Sequence, residues 1–433
     1  MVLIRLKNIM GGNTDLDLQK AVITTKNISE INKKELRKIR IISIYAFLSG
    51  FVFFEPSFAE IFFILTVPLL LFSIKFDYKA TIFTTILFIS ITTSFLRGNS
   101  IGWFNLNYSI RYTVIDFYLI LLFLVFISVI KQIKNKNSLI NSLMRWWTLS
   151  AFINIFACFF AIVTGVTNLG GASVISFGIR FQGFFKDPNV LGPFLTIPAV
   201  FWFEKYLKSQ RKSILYLFIS IILMLGVVMT FSRAAWLNIF FAIFILLLLN
   251  VRKINVKKYF RMISFVFLIM LLLALLMISD VEIFGYRLGD FFLNRLGLQS
   301  YDQDRFEAQK AFIKGIEKAP FFGIGPGNYS LLSQGYATHS LYLRMFGEKG
   351  IFGFFLLLVI ILVSLKNFWE IRKSYAFLFA GFIGTDINSF FIDSWHWRHL
   401  WILFAIGFSL TNIENSDRNS EIYNKDFSSK KSV

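Results

Sequence analysis

The sequence predicts an all-α polytopic membrane protein with about twelve transmembrane helices and one long extracytoplasmic loop that carries short helices. Of its 433 residues, 56% are hydrophobic and 16% are charged, against about 45–50% and about 25% in soluble domains. Apolar stretches of membrane-spanning length recur along the chain, and a soluble fold of this size cannot bury so much apolar surface. Most of the chain is therefore expected to face lipid.

The predicted spans alternate with loops whose basic residues fall mainly on one side. The predicted cytoplasmic segments contain 31 of the 45 Lys and Arg residues, and eight of the other 14 lie in the outer segment 280–349. Because loops rich in Lys and Arg stay in the cytoplasm, both termini are predicted to be cytoplasmic. The spans are 41–54, 57–74, 80–96, 112–130, 146–165, 188–203, 214–230, 235–250, 262–279, 350–365, 375–392 and 399–411.

The charge and cysteine content narrow the partners and cofactors. The net charge of +20 is interpreted as an orientation signal, so anionic membrane lipids are the predicted partners and nucleic acid is not. A single cysteine, Cys158, excludes a disulfide framework and a cysteine-based metal site. No cofactor and no metal are predicted. The first 40 residues are too long and too charged for an ordinary signal-peptide n-region.

The first candidate motif runs from Gly178 to Gly192, where an outer loop enters the sixth span. Asp187, Pro188 and Asn189 predict a turn and a helix start, with Asp as N-cap and Pro at the first helical position. A helix N-terminus preceded by Arg180 and Lys186 can bind an anion at the lipid surface. A snorkelling Arg beside a structural turn is the alternative.

A second motif, Ser232-Arg233, occupies the tight outer turn between the seventh and eighth spans. A charge at the membrane boundary is costly unless it is paired or solvated. Arg233 is therefore either a binding residue or an anchor at the lipid headgroups.

The long outer segment contains the third motif. Asp304 to Glu307 is typical of a capping box that opens an amphipathic helix ending before Pro320. This capping role is favoured over metal binding by the Asp302 and Asp304 carboxylates. A glycine-rich turn, Gly323-Ile-Gly325-Pro-Gly327-Asn328, follows; since no βαβ unit surrounds it, it is interpreted as a sharp backbone turn near substrate rather than a dinucleotide site.

His339 is the only histidine before residue 396. Imidazole is the side chain best matched to proton transfer near neutral pH. His339 stands in a polar outer segment that leads into the tenth span, so it is a candidate general base. A solvent-exposed histidine without a catalytic role is the alternative.

Together these stretches resemble the O-antigen ligase and polymerase superfamily of bacterial membrane glycosyltransferases. The resemblance covers about 176–365 and rests on the Gly178–Gly192 motif, Phe231-Ser232-Arg233, Arg305 with the glycine-rich turn, and Thr338-His339-Ser340 leading to Gly350-Ile-Phe-Gly353. With the predicted spans, this resemblance gives the following predicted division of the chain: a cytoplasmic segment 1–40, spans one to five in 41–175, the core 176–365 with outer loop 280–349, two last spans in 366–411, and a cytoplasmic tail 412–433.

The resemblance implies a type C, metal-independent, inverting glycosyltransferase in the bacterial cytoplasmic membrane, with its active site on the outer face. Its donor would be an undecaprenyl-diphosphate-linked glycan. Its acceptor would be a glycan for a polymerase or lipid A core for a ligase, and a chain-length regulator is a candidate partner. Arg180 and Arg233 would neutralise the leaving diphosphate and His339 would accept the acceptor proton. Binding of diphosphate or sugar is assigned to Arg180, Arg233, Arg305, Lys186, Asn189, Gly325, Gly327, Asn328 and Asp393.

The C-terminal stretch from Asp386 to His399 departs from the family in its Trp and His content. Asp393 is predicted to orient His339 or contact the acceptor, with Asp386 as the other candidate. Trp395 and Trp397 are interpreted as part of an aromatic belt in preference to a sugar-stacking platform.

A polysaccharide flippase is the competing class of function, since twelve spans would suit it. A flippase is expected to line its interior with charge through the membrane depth. Here Arg and His collect near the outer boundary of the predicted spans, which favours surface chemistry. Polymerisation of repeat units is preferred over ligation to lipid A core.

Overall fold

A computed structural model describes residues 33–71, 74–102, 105–209, 213–250, 275, 281–297, 300–333 and 338–410. The predicted cytoplasmic tail 412–433 lies outside the described residues, as does the predicted ninth span, 262–279, apart from residue 275.

Five helices form the first part of the described chain. Asp77, Asn105 and Asn135 cap the third, fourth and fifth, each accepting a hydrogen bond from a backbone N–H three residues later. Such caps satisfy N–H groups that a helix start leaves without an intrahelical partner. The helices are α1 (33–48), α2 (Phe58–Leu71), α3 (Tyr78–Ser100), α4 (Leu106–Gln132) and α5 (Lys136–Thr164).

Two short antiparallel hairpins follow α5. The first pairs β1 (Asn168–Leu169) with β2 (Ala172–Ser173), and the second pairs β3 (Ile175–Ser176) with β4 (Arg180–Phe181). Gly178 turns the second hairpin at a φ of 89°, a left-handed conformation that glycine adopts without steric cost. The hairpin places Arg180 next to the start of the following helix.

Three helices come next: α6 (Pro188–Lys208), α7 (Ser213–Met229) and α8 (Arg233–Asn250). The predicted helix start is confirmed, because Pro188 is the first residue of α6 and the Asp187 side chain accepts from Asn189 N at 2.8 Å. Helix α6 packs against both α7 and α8.

The described residues of the predicted outer segment contain a third hairpin, β5 (Glu282–Ile283) with β6 (Tyr286–Arg287), and four short helices. The prediction of one amphipathic helix starting at Asp304 and ending before Pro320 is wrong. The helix begins earlier, with Asp302 in its first turn, and a break at Ala311 divides it in two. The four helices are α9 (Leu288–Leu296), α10 (Ser300–Lys310), α11 (Phe312–Lys318) and α12 (Tyr329–Leu332).

The last helices are α13 (Leu341–Glu370), α14 (Ala376–Ser389) and α15 (Arg398–Ser409). Helix α13 is kinked at Gly350, where φ is 66° and ψ is −169°. Only glycine adopts this region readily. Helix α15 packs against α4, and α14 packs against α8.

Five of these helices, α3, α4, α5, α8 and α13, are long and apolar enough to cross a membrane, and two shorter apolar helices cover Phe58–Leu71 and Ile214–Met229. The chain is therefore an all-α membrane protein, and the strands among its described residues are two-residue pairs. The count of twelve spans and the sidedness of the loops stay predictions.

Several buried charges join helices that are distant in sequence. Lys349 on α13 lies 2.7 Å from Asp116 on α4, and both are almost fully buried. Arg398 pairs with Glu60 of α2. The Glu204 carboxylate accepts from two backbone N–H groups at the start of α14, each at 3.0 Å. Charges inside an apolar bundle are stable only when paired in this way.

Candidate active site

Arg180 is held by three neighbouring segments. Its Nε donates to Thr230 O at 2.8 Å, at the end of α7, and its Nη2 donates to Asn189 Oδ1 at 3.2 Å, at the start of α6. The side chain is 5% exposed, and its guanidinium carbon lies 5.7 Å from the centre of the Phe177 ring. These contacts fix the planar guanidinium group while leaving it at a cavity wall.

Arg233 is the first residue of α8 and follows a strained turn. Phe231 has a φ of 48°, which is uncommon for a bulky residue, and it packs on Phe291 and Phe292 of the outer segment. Arg233 Nη2 donates to Asp302 Oδ1 at 2.5 Å, and Nη1 donates to Gly297 O at 3.1 Å. The turn therefore ties the membrane helices to α9 and α10.

Arg305 lies one turn after Asp302 on α10. Its Nη1 is 4.0 Å from Asp302 Oδ1, the same oxygen that accepts from Arg233. The buried Asp302 carboxylate thus stands between two guanidinium groups. It offsets part of their repulsion and holds both at the cavity.

His339 has a φ of 47°, in the left-handed region that a non-glycine residue seldom adopts. Its half-buried side chain precedes Ser340, which caps α13 by accepting from Leu343 N at 3.5 Å. Burial and the charge of Arg305 lower the pKa of His339 below its ordinary value, while Asp187 acts in the opposite direction. The imidazole is therefore mainly neutral at neutral pH and can accept a proton.

These side chains share one cavity of about 260 Å³, the arginine cavity. A second opening of about 410 Å³ shares Arg180, Asn189, Arg295, Arg305 and His339 with it. The cavity wall carries more positive than negative charge, since four arginines face one buried aspartate among the described lining residues. The charged or polar lining residues used below are Arg180, Asn189, Arg233, Arg295, Asp302, Arg305 and His339.

The structure brings five of the sequence-predicted site residues together in this cavity: Arg180, Asn189, Arg233, Arg305 and His339. Lys186 lies elsewhere, 2.6 Å from Glu55, which also pairs with Arg111. Although burial raises the pKa of Glu55, its hydrogen bonds to Lys186 and Arg111 lower it to about 2. The charge of Lys186 is thus directed to a carboxylate of the protein.

The glycine-rich turn packs against the kink of α13 and does not line the arginine cavity. Gly325 N donates to Glu348 O at 3.0 Å, and a Cβ added at Gly323 would lie 2.2 Å from the Glu348 backbone. Asn328 is fully buried, and its side chain accepts from Asn105 N and donates to Ile324 O, each at 3.0 Å. Gly323 and Gly325 therefore allow backbone to pack closely on backbone, and the Asn328 side chain fixes the turn.

Asp393 also lies away from the arginine cavity. It forms an ion pair with Arg344 and accepts from Trp395 N at 3.2 Å. Burial raises the pKa of Asp393, but Arg344 and then His396 outweigh it and lower the pKa below its usual range. Asp386 accepts from the Tyr342 hydroxyl at 2.6 Å.

The interpretation of Trp395 and Trp397 as a belt at the membrane surface is wrong, because they are 0% and 6% exposed. The Trp395 indole donates to Asp116 Oδ1 at 2.6 Å, and the Trp397 ring stacks on His399. Burial likewise leaves neither ring available as an open sugar-stacking surface.

Sequence reasoning missed a second polar group, formed by Asp116, Arg344, Glu348, Lys349 and His396. Asp116 Oδ1 is 3.1 Å from His396 Nε2, and Arg344 Nη1 is 3.3 Å from His396 Nδ1. A signal was available for Asp116, since a lone carboxylate within a predicted span indicates a buried partner. Lys349 stands 233 residues later in the chain, so the sequence did not identify it as that partner.

Comparison with known proteins bears on the same region. The family model described as O-antigen ligase matches residues 218–358. The matched segment includes Arg233, Arg305 and His339, whereas Arg180 precedes it. No curated protein matches the chain. The family match implies a glycosyltransferase-like enzyme, and it confirms the resemblance of this chain to the O-antigen ligase and polymerase superfamily.

Proposed function

We propose that this chain transfers a glycan from undecaprenyl diphosphate to an acceptor hydroxyl at the outer face of the bacterial cytoplasmic membrane, and that it polymerises saccharide repeat units. The observation that carries the proposal is the arginine cavity, where Arg180, Arg233 and Arg305 surround a space that His339 also lines. Guanidinium groups suit a diphosphate, because they donate two parallel hydrogen bonds to an oxyanion.

The proposed reaction is a direct displacement at the anomeric carbon of the donor. The acceptor oxygen forms a bond to this carbon as the bond to the diphosphate oxygen breaks, and the electron pair leaves with undecaprenyl diphosphate. His339 accepts the proton of the acceptor hydroxyl. A single displacement inverts the anomeric configuration.

The arginines would act where negative charge grows. The bridging oxygen gains charge as the glycosidic bond to diphosphate breaks, and fixed cations stabilise that charge most in a site with little water. Arg180 is already oriented by Thr230 and Asn189, so little reorganisation is needed when the donor binds. We expect transfer to continue in the presence of a chelator, because the arginines supply the positive charge.

The family description keeps ligation to lipid A core as the second candidate. The two activities differ only in the acceptor. Purified protein would be given a synthetic undecaprenyl-diphosphate oligosaccharide, first alone and then with lipid A core. Longer lipid-linked chains in the first reaction support polymerisation, and glycan joined to lipid A core only in the second supports ligation. Failure of both reactions would contradict the proposed transfer.

A further inference from the structure

A second cavity, of about 630 Å³, lies beside the arginine cavity. This volume falls within the usual range for small-molecule sites, about 300–1,000 Å³. We call it the tyrosine cavity, after the aromatic residues that line it with three charged ones. These are Tyr108, Tyr112, Tyr329, Arg344, Glu348 and Asp393.

Two pairs of consecutive residues have one member in each cavity wall. Thr338 lines the tyrosine cavity, while His339 lines the arginine cavity. In the same way Asp393 lines the tyrosine cavity and Ile392 the arginine cavity. A ligand in the tyrosine cavity would therefore lie next to the backbone segment that carries His339.

The two cavities differ in the sign of their charge. In the tyrosine cavity the carboxylates of Glu348 and Asp393 face one cation, Arg344, among the described lining residues. The arginine cavity has the opposite excess. An anionic diphosphate is thus favoured in the arginine cavity and disfavoured in the tyrosine cavity.

Glu348 places a buried carboxylate in the wall of the tyrosine cavity. Its side chain is 2% exposed, and its Oε2 accepts no hydrogen bond within the described part of the chain. Arg344 Nε lies 3.1 Å from that oxygen, but not in hydrogen-bonding alignment. A carboxylate has about four lone-pair sites, so Glu348 can pair with Arg344 and also accept from a ligand hydroxyl in the cavity that it lines.

Tyr112 provides a fixed aromatic wall. The Arg344 guanidinium carbon lies 4.9 Å from the centre of the Tyr112 ring, and the His396 ring stacks on it at 5.2 Å. A Cβ added at Gly327 would lie 2.3 Å from Tyr112 Cδ2, so the glycine leaves room for the ring. Tyr108, which is 51% exposed, adds a second ring.

Aromatic faces beside carboxylate acceptors suit a sugar, which presents C–H surfaces to rings and hydroxyl donors to oxygens. We propose that the tyrosine cavity binds the sugar end of the acceptor glycan, the part that carries no phosphate, and presents one of its hydroxyls to His339. This inference rests on the function proposed above. It adds the binding site of the acceptor's sugar end and the chemical class of that end, a neutral saccharide.

The test compares Glu348→Gln and Tyr108→Ala with the wild-type protein, using the undecaprenyl-diphosphate oligosaccharide as donor and the neutral oligosaccharide released from it as acceptor. We expect the acceptor KM to rise about ten-fold in Glu348→Gln, the usual effect of weakening a hydrogen bond to a charged group. Tyr108→Ala should raise it about three-fold through lost ring contact. The donor KM should not change. Tyr78→Ala is the matched control, since Tyr78 is 76% exposed and lines neither cavity.

An unchanged acceptor KM in both variants would overturn the inference. Tyr108 is half exposed, so we expect Tyr108→Ala to fold. This variant therefore tests the inference even if Glu348→Gln does not fold. Calorimetric titration of the wild type and Tyr108→Ala with the neutral oligosaccharide separates this inference from the proposed function. Binding weakened by Tyr108→Ala, without any transfer, would support the sugar site and contradict the transferase. Equal or tighter binding of an oligosaccharide phosphorylated at its acceptor end would overturn the assignment to a neutral saccharide.

Discussion

At the scale of single residues, the proposed site depends on how the protein fixes its cations. Arg180 is buried and hydrogen-bonded to a carbonyl and an amide, whereas Arg233 is bonded to the Asp302 carboxylate. Both side chains line a cavity that His339 also lines. Their contribution should therefore appear in catalysis rather than in folding alone.

The first prediction concerns these two arginines. Arg180→Ala and Arg233→Ala should each lower the transfer rate about 10²–10³-fold, as loss of a preorganised charge-stabilising donor does. The Lys variants should recover only part of this loss, because an ammonium group lacks the two-pronged geometry. Arg287→Ala is the control, since this arginine is half exposed and lies outside the arginine cavity. Near wild-type transfer rates in both alanine variants would contradict this role and would indicate that the arginines only anchor the protein at the lipid headgroups.

The second prediction concerns His339 as the general base. His339→Ala should transfer about 10²–10⁴-fold more slowly, which is the usual contribution of positioned proton transfer. His339→Gln should fail as well, because an amide binds a hydroxyl but does not take its proton. Binding of the donor lipid should survive in both variants, since the arginines remain. Full turnover by His339→Ala would refute this role.

The third prediction is a pH profile with a defined direction. Because burial and Arg305 lower the pKa of His339, the base form persists at neutral pH, and kcat/KM should fall only as the pH drops below about 6.5. Arg305→Gln removes a positive charge, so the pKa should rise and the fall should begin at higher pH. An acid limb that stays at the same pH in Arg305→Gln would show that another group titrates.

At the scale of elements, the kink of α13 joins the outer segment to the membrane helices. Ile351 N donates to Pro320 O at 2.8 Å and Ile324 N donates to Gly347 O at 3.1 Å, so Pro320 and the glycine-rich turn satisfy backbone groups that the kink releases. Glu348 and Lys349 stand at this kink. The sequence predicted a sharp turn, but it did not show that the turn packs against the kink of α13 at Gly350.

The fourth prediction tests this junction. Gly350→Ala should lower the free energy of unfolding by at least about 1–3 kcal/mol, the cost of placing a non-glycine residue in this backbone region. An added Cβ would also lie 2.5 Å from the Phe321 backbone. Thermal unfolding in detergent measures the effect, with Gly297→Ala as control, because a Cβ at Gly297 meets nothing within 4 Å. Equal stability of the two variants would contradict the tight packing.

The elements also show what sequence reasoning resolves. The start of α6 was predicted because Asp187 and Pro188 act locally as cap and first residue. The hairpin that carries Arg180 was not, because two-residue strands show no alternating pattern. Arg344 and Glu348 were assigned no role, since only the kinked helix brings them to Tyr112 and Asp393.

At the scale of the whole molecule, composition sufficed to predict an all-α membrane protein, because so apolar a chain must face lipid. The lengths of the helices were harder to predict from the sequence. The predicted span 375–392 corresponds to a helix of 14 residues that ends at Ser389, since residues 390–392 form a turn that an apolar average does not distinguish from helix. The predicted span 399–411 corresponds to a helix of 12 residues, Arg398–Ser409.

The fifth prediction concerns orientation. Reporter fusions at Lys208 should indicate the cytoplasm, and fusions near Gln299 and Gly335 should indicate the outer side, because basic loops remain inside. Lys208 is the last residue of α6, and the last turn of this helix is basic. A cytoplasmic signal at Gln299 would place the arginine cavity on the wrong side for an outward-facing donor.

The central claim is that this protein makes a glycosidic bond rather than moving a lipid-linked sugar across the bilayer. The most direct measurement uses purified protein in liposomes that carry undecaprenyl-diphosphate oligosaccharide in the accessible leaflet. The account predicts release of undecaprenyl diphosphate together with an inverted new linkage, both lost in His339→Ala. Movement of the intact lipid-linked sugar to the opposite leaflet, with no new glycosidic bond, would contradict it.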